Sequence, residues 1–151
     1  MLAILRPDSW NLPLFLHVLG AIALFGGTLT VVVLGFAARR NAAGHALLLA
    51  RLSFRTLLFL VLPAWILMRA GAQWIVGKEF PGKTPSPDWV NVGFAVSEPG
   101  LVVLVALGVV AFLSARRGGS GRLASAVPAL ASIYLVALAV AWWAMSAKPG
   151  A

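Results

Sequence analysis

One histidine lies within the first long apolar stretch of the sequence, and the residues around it define the chemistry that it could perform. His17 stands in the string LHVLG, and Gly20 and Gly27 give the same helix a face of small residues. An imidazole nitrogen can ligate a metal or heme iron, and small residues let a partner helix or a flat cofactor approach the backbone closely. His17 is therefore interpreted either as a cofactor or metal ligand, or as a packing residue that bonds a neighbouring carbonyl.

Two further polar groups are predicted at membrane depth. Arg69 is expected at the depth of His17 and needs a counter-charge, because an unpaired ion in hydrocarbon costs several kcal/mol. Glu98, at the start of the third apolar stretch, is the nearest partner within the chain, and a heme propionate would serve as well. Tyr134, the only tyrosine, falls near mid-membrane, where it either donates to a ligand or a free carbonyl or simply packs.

Composition determines the elements that must position these residues. Of the 151 residues, 61% are hydrophobic and only four are carboxylates, whereas about a quarter of an average soluble domain is charged. Lipid must therefore be the solvent, and a membrane-spanning helix needs about 20 mostly apolar residues. The sequence predicts an all-α fold, an antiparallel four-helix transmembrane bundle in a single domain over 1–151, with spans at about 12–38, 54–76, 99–115 and 124–146.

The distribution of arginine predicts the orientation. Acids and most tryptophans fall at one side of the predicted spans, whereas seven arginines lie in or beside the first and third connections: Arg39, Arg40, Arg51, Arg55, Arg116, Arg117 and Arg122. Short basic loops remain in the cytoplasm, so both termini are expected outside (N-out/C-out). We expect a multi-pass protein of a bacterial cytoplasmic (inner) membrane.

Three segments between and within the spans carry further expectations. The outer loop 77–96 either caps the bundle or is a solvated loop, and Asp88–Val96 within it could form a short interfacial helical turn. The segment Asn41–Arg55 is expected to extend the second helix beyond the membrane. Pro63, in the middle of that helix, removes one backbone bond and is expected to kink it.

Several classes of protein are excluded or weakened by composition. The absence of cysteine excludes disulfides, thiolate metal sites and dithiol redox chemistry. The formal net charge of +8 comes from basic residues in short loops, which are topology signals, so nucleic acid is not an expected partner. The two histidines lie far apart and three methionines do not converge with them, which leaves His17 as the one candidate metal ligand.

Short motifs in the first two helices resemble known families. The string LHVLG followed by Phe25-Gly26-Gly27 resembles the opening helix of several small bacterial membrane families, including the membrane domain of copper-resistance protein D and the HemJ-type protoporphyrinogen oxidases. The HemJ second helix has an arginine-leucine-then-proline pattern, which Arg51-Leu52, Arg55 and Pro63-Ala64 resemble. Arg122, Pro128 and Lys148-Pro149 resemble the start and end of its last helix.

The resemblance implies heme b, because the first-helix histidine of the HemJ enzymes is implicated in binding it and His17 is the matching position. Other enzyme positions differ here. Thr28–Phe36 replaces a stretch with tyrosine and arginine, Val102–Val105 lacks a lysine, and Ser125-Ala126 replaces an asparagine–glutamate pair. The resemblance therefore implies a heme pocket more than porphyrinogen oxidation, in a separate family of the superfamily.

Two functional hypotheses remain. In the first, the chain binds heme b or is redox-associated, with His17 as an axial ligand, Arg69 on a propionate, and Gly20, Gly27 and Tyr134 lining the site. In the second, it is a non-catalytic accessory subunit of a larger membrane complex, or a small-molecule or metal carrier. Its partners are then membrane lipid, another copy or other subunits. If Arg69 pairs with Glu98 and His17 bonds a carbonyl, nothing is left over to hold a ligand. No catalytic residue can be named.

Overall fold

Helices make up nearly all of the described chain. The computed structural model describes residues 8–41, 43–79, 81 and 88–147, and this part contains no strand. A 3-10 turn at Asp8–Trp10 leads into the first helix, and a π-helical segment at Leu57–Val61 joins the second helix to the third. The five α-helices are α1 (Asn11–Arg40), α2 (Ala43–Thr56), α3 (Leu62–Glu79), α4 (Asp88–Arg116) and α5 (Gly121–Ala147).

In the described part of the chain, four helices are long and apolar enough to cross a membrane. They are α1, the continuous helix formed by α2, the π-helical segment and α3, then α4 and α5, and they run for 27 to 36 residues. At about 1.5 Å per residue, each exceeds the roughly 30 Å of a bilayer's hydrocarbon core. The prediction of four helices of membrane-spanning length is confirmed.

The helices extend beyond the stretches that hydropathy indicates. Residues 88–96, predicted as a separate interfacial turn, are the first turns of α4, which continues through Pro99 to Arg116. Packing explains the difference, because Val90, Gly93 and Ser97 are buried and Gly93 lies directly against the methyl end of Met145 in α5. The segment before Arg55 does extend the second helix, as predicted.

A π-helical turn precedes Pro63, the position at which the sequence predicts a kink. Proline has no backbone N–H, and its ring clashes with the carbonyl four residues earlier in an α-helix. The π-helical segment Leu57–Val61 lies just before Pro63, and the N–H of Leu62 donates to the carbonyl of Leu57, five residues back. The wider turn accommodates the proline ring while the helix continues.

The helix α1 lies at the centre of the packing. It packs along α2, α3 and α5, and α4 packs mainly on α5 and α2, whereas α3 and α4 touch little. Along α1, Phe25 contacts Trp142 edge-on at 5.5 Å between ring centroids, and Gly35 lies against Pro128. The shared core includes Leu24, Val31, Leu57, Val61, Leu104, Leu107, Ala131 and Tyr134.

Charge divides the described molecule into two ends. The arginine end comprises the end of α1, helix α2, the end of α4, the α4–α5 turn and the start of α5, with Arg39, Arg40, Arg51, Arg55, Arg116, Arg117 and Arg122. The carboxylate end comprises the start of α1, the end of α3 and the first turns of α4. Glu79 and Glu98 lie there, and the exposed side chains of Trp142 and Trp143 lie near the end of α5.

Candidate functional site

The glycine face beside His17 is occupied by another helix of the same chain. A Cβ on Gly20 would overlap the backbone of Met68, and one on Gly71 would lie 2.5 Å from the backbone nitrogen of His17. Farther along α1, a Cβ on Gly27 would lie 2.9 Å from a methyl of Val61. Because α1 and α3 touch backbone to backbone here, the small residues serve this helix crossing.

His17 bonds a carbonyl of the neighbouring helix. Its Nδ1 lies 3.0 Å from the carbonyl oxygen of Met68, and the side chain is half-buried. A carbonyl only accepts hydrogen bonds, so Nδ1 must carry the proton and donate it. In the neutral ring, a proton on Nδ1 leaves the lone pair on Nε2. The contact matches the packing interpretation of His17 and also fixes which nitrogen could act as a ligand.

Arg69 forms an ion pair across the α3–α4 boundary. Its guanidinium donates to the carboxylate of Glu98 at 2.9 Å, and its side chain is 16% exposed whereas that of Glu98 is 63% exposed. The ring of Phe94 lies 4.6 Å from the guanidinium carbon, a cation–π contact that covers the charge from one side. Nearby, the indole N–H of Trp65 donates to the carbonyl of Ser97 at 3.0 Å. These contacts tie together two helices that otherwise touch little.

His17 and Arg69 do not converge on one cavity. The Met68 carbonyl that His17 contacts belongs to the residue just before Arg69. Successive residues of an α-helix point about 100° apart, and Arg69 reaches α4 whereas the His17 contact lies on the α1 side of α3. The described residues contain no group of three or more His, Asp or Glu side chains that could hold a metal ion. In that part of the chain, a metal at His17 would therefore have at most one further ligand of these types.

Tyr134 lies in the core rather than beside these residues. Its ring is buried against α4, where a Cβ on Gly100 would lie 2.8 Å from the phenolic oxygen. The hydroxyl has no hydrogen-bond partner among the described residues, and the same holds for the buried hydroxyl of Ser114. The structure thus gives Tyr134 a packing role without assigning its hydroxyl a partner.

A groove at the arginine end is a feature that the sequence alone did not indicate as a site. It lies between α2 and α4, has a volume of about 670 Å³, and is lined by Arg51, Arg55 and Arg116 together with phenylalanines. The sequence contains part of the signal, since Arg51 and Arg55 are four residues apart and share a helix face. That Arg116 faces them depends on how α4 packs against α2, which hydropathy does not reveal.

Comparison with known proteins gives no match: no family model, no curated protein and no solved structure matches this chain. The resemblance to the HemJ-type enzymes and the copper-resistance membrane domain therefore stays a prediction from short motifs. The fold defines the class, an α-helical protein with four helices of membrane-spanning length. Its function has to be argued from the contacts described above.

Proposed function

We propose that this chain is a non-catalytic accessory subunit of a larger membrane assembly. The observation that carries the proposal is that the two groups best suited to hold a ligand are both engaged within the chain. His17 donates to the Met68 carbonyl and Arg69 pairs with Glu98. A ligand at Arg69 would have to displace Glu98, and a ligand at His17 could use only Nε2 while the bond to Met68 holds the ring in place.

Other buried polar groups also stabilise the bundle. Thr28 and Ser53 donate back to the carbonyls four residues earlier on their own helices, at 2.7 Å and 3.0 Å, and Trp65 donates to Ser97 across α3 and α4. In hydrocarbon each unsatisfied polar group costs several kcal/mol, so these bonds stabilise the fold. An interior used in this way leaves the outer helix faces to contact other subunits.

The same proposal includes an antiparallel arrangement with both termini outside the cytoplasm of a bacterial inner membrane. The sequence of contacts between α1 and the second long helix supports an antiparallel pair. His17, Gly20 and Gly27 lie in ascending order on α1 and contact residues 71, 68 and 61, which descend in number. The clustering of seven arginines at one end supports the orientation, because positively charged short loops are retained in the cytoplasm.

Single-cysteine labelling tests the orientation. The chain has no cysteine, so the exposed Ser9 and Ser120 can each be replaced alone, as Ser9→Cys and Ser120→Cys. In intact cells a membrane-impermeant maleimide should label Ser9→Cys, and it should label Ser120→Cys only after permeabilisation. The reverse pattern would contradict the orientation while leaving the four spans intact.

Photo-cross-linking from the lipid-facing surfaces tests the subunit role. A photoreactive amino acid would replace one exposed residue on each spanning helix, at Ile22, Ile66, Val102 or Ile133, which are 61%, 61%, 71% and 68% exposed. In native membranes we expect one face to give a protein adduct of discrete mass while the other faces give lipid adducts only. Lipid adducts from all four faces would contradict the proposal.

A second candidate, heme b binding, is favoured by one contact. Metal-ligating histidines usually donate their other ring N–H to a carbonyl or carboxylate, which fixes the ring's orientation. The bond from His17 to Met68 has this form and leaves Nε2 as the ligating atom. Heme would then contact the exposed side of the α1–α3 pair, with a second ligand that is not histidine or comes from another copy. For Arg69 to hold a propionate, it would have to release Glu98. A heme absorption band that disappears in His17→Ala would favour this candidate over the subunit role.

A further inference from the structure

The groove between α2 and α4 has the dimensions of a ligand site. Its volume of about 670 Å³ falls within the roughly 300–1,000 Å³ typical of small-molecule sites. It lies open on the outside of the bundle, so a ligand could enter it from the surrounding lipid. Three arginines line one part of it and three phenylalanines another: Arg51, Arg55 and Arg116, and Phe54, Phe59 and Phe112.

The three arginines have no carboxylate partner among the described residues. Glu98 lies on the same helix as Arg116 but 18 residues earlier, and Glu79 is 24 residues beyond Arg55 on a continuous helix. At about 1.5 Å per residue, these separations are roughly 27 Å and 36 Å along the helices. The remaining acids of the sequence precede α1 or begin α4. The positive charge of the groove is therefore not neutralised from within the described chain.

The arginines of α2 lie farther along the bundle than the turn that closes this end. Gly119, in the α4–α5 turn, packs on the Ala46 carbonyl, which a Cβ would approach to 2.7 Å, so Ala46 is level with the turn that closes the arginine end. Arg51 and Arg55 are then about 7.5 Å and about 13.5 Å farther along the helix from this turn. Both side chains are exposed on the outside of the bundle, where an anion can reach their guanidinium groups.

An apolar strip continues from the arginines toward the middle of the bundle. The rings of Phe54 and Phe112 contact each other at 5.3 Å between centroids, and the guanidinium carbon of Arg116 lies 5.4 Å from the Phe112 ring. Farther along, the side chain of Phe59 is 74% exposed. Phe59 and Phe112 each lie one helical turn farther toward the middle of the bundle than Arg55 and Arg116. A band of cations followed by aromatic surface reproduces the polarity profile of one phospholipid molecule.

We propose that this groove binds an anionic glycerophospholipid. Its phosphate would lie among Arg51, Arg55 and Arg116, and its acyl chains would lie along Phe54, Phe59 and Phe112. Basic pockets between spanning helices at this level favour anionic head groups through charge, and guanidinium groups donate to phosphate oxygens in well-aligned pairs. The apolar strip favours a lipid over free phosphate, which would make no use of it. The proposal does not depend on the subunit role.

Native mass spectrometry of the full chain in detergent tests the proposal. The protein would be titrated with dioleoyl phosphatidylglycerol and, separately, with dioleoyl phosphatidylcholine. We expect the wild type to bind the anionic lipid about tenfold or more tightly than the zwitterionic one. In the triple variant Arg51→Gln/Arg55→Gln/Arg116→Gln this preference should fall below about threefold. Unchanged preference in that variant would overturn the proposal.

A matched variant separates the groove from the general charge of this end. Arg39→Gln/Arg40→Gln/Arg122→Gln removes the same charge from the arginine end but outside the groove, and it should keep the preference of the wild type. If both triple variants lose it equally, a diffuse field is responsible and the site does not exist.

Two further arms keep the test decisive. Glycerol 1-phosphate, which has the head-group chemistry without acyl chains, should not displace the bound lipid at millimolar concentration, and efficient displacement would indicate a soluble phosphate site instead. Should the triple variant fail to fold, Arg55→Gln alone changes only one exposed side chain. It should weaken phosphatidylglycerol binding about threefold to fivefold, and no weakening would overturn the proposal.

Discussion

Two arginines on the same continuous helix, Arg69 and Arg55, have contrasting surroundings. At the carboxylate end, Arg69 is largely buried, pairs with Glu98 and is covered by Phe94. At the arginine end, Arg55 lines an open groove with two more arginines and no described carboxylate nearby. The same type of side chain thus joins two helices through an ion pair in one place and lacks a described counter-charge in the other. What surrounds an arginine at membrane depth, rather than its presence, determines whether it serves the fold or a ligand.

The histidine belongs with the first of these two regions. The α1–α3 crossing brings His17 and Gly71 together and engages the ring in a bond to Met68. The sequence indicates the surroundings of His17 and Arg69 as a candidate ligand site, but in the structure both side chains bond within the chain. The arginine end, which the sequence indicates only as a topology signal, contains the groove whose arginines have no described carboxylate partner. Substitutions in each region test this contrast.

The largest effect is expected from adding one methyl group at the helix crossing. In Gly20→Ala, the new Cβ overlaps the Met68 backbone, which cannot move aside without shifting α3, so the free energy of unfolding in detergent should fall by about 2–3 kcal/mol. Gly26→Ala is the matched control on the same helix, since no atom lies within 4 Å of its Cβ position. Equal stability of the two variants would show that α1 and α3 are not in backbone contact.

A smaller loss is expected when the ion pair is broken. Glu98→Gln leaves the mostly buried Arg69 without its counter-charge and should cost about 1–2 kcal/mol of stability, measured by the same unfolding equilibrium. In Arg69→Gln/Glu98→Gln, the loss should be smaller than the sum of the two single losses by about 1 kcal/mol. Arg55→Gln, the comparison variant, should change stability by less than about 0.5 kcal/mol. Strict additivity would mean that the pair contributes nothing.

The smallest effect is expected at the buried tyrosine. Because the Tyr134 hydroxyl lacks a partner among the described residues, Tyr134→Phe should change stability by less than about 0.5 kcal/mol or increase it slightly. Tyr134→Ala removes the buried ring and should cost about 3–5 kcal/mol, which shows that the assay detects the site. A cost above about 1.5 kcal/mol for Tyr134→Phe would indicate that the hydroxyl has a partner.

Composition and charge predict the coarse fold because a stretch that crosses lipid must be apolar, whereas a stretch in water can carry charge. Hydropathy alone revealed four spanning helices, and depth matching named Glu98 as the internal partner of Arg69, a pair that is present in the structure. Hydropathy predicts a third span that begins at about residue 99, whereas α4 begins at Asp88, and Gly93 in these added turns packs on Met145.

The remaining features depend on which helices meet, and a single sequence does not encode this locally. Gly20 suits a cofactor or a helix equally well, and only the approach of Met68 shows that α3 fills that face. The groove likewise requires Arg116 of α4 to lie beside Arg51 and Arg55 of α2. The sequence predicts which residues share a face of one helix, but it does not predict which helices pack against each other.

The central claim is that His17 and Arg69 serve contacts within the chain and hold no ligand. A hemin titration of the detergent-purified protein, followed by ultraviolet–visible spectra of the oxidised and reduced forms, tests this claim most directly. The wild type and His17→Ala should behave alike, with no Soret band at purification and only the spectrum of free hemin after addition. A Soret band that shifts on reduction in the wild type and is lost in His17→Ala would contradict the account and establish His17 as a heme ligand.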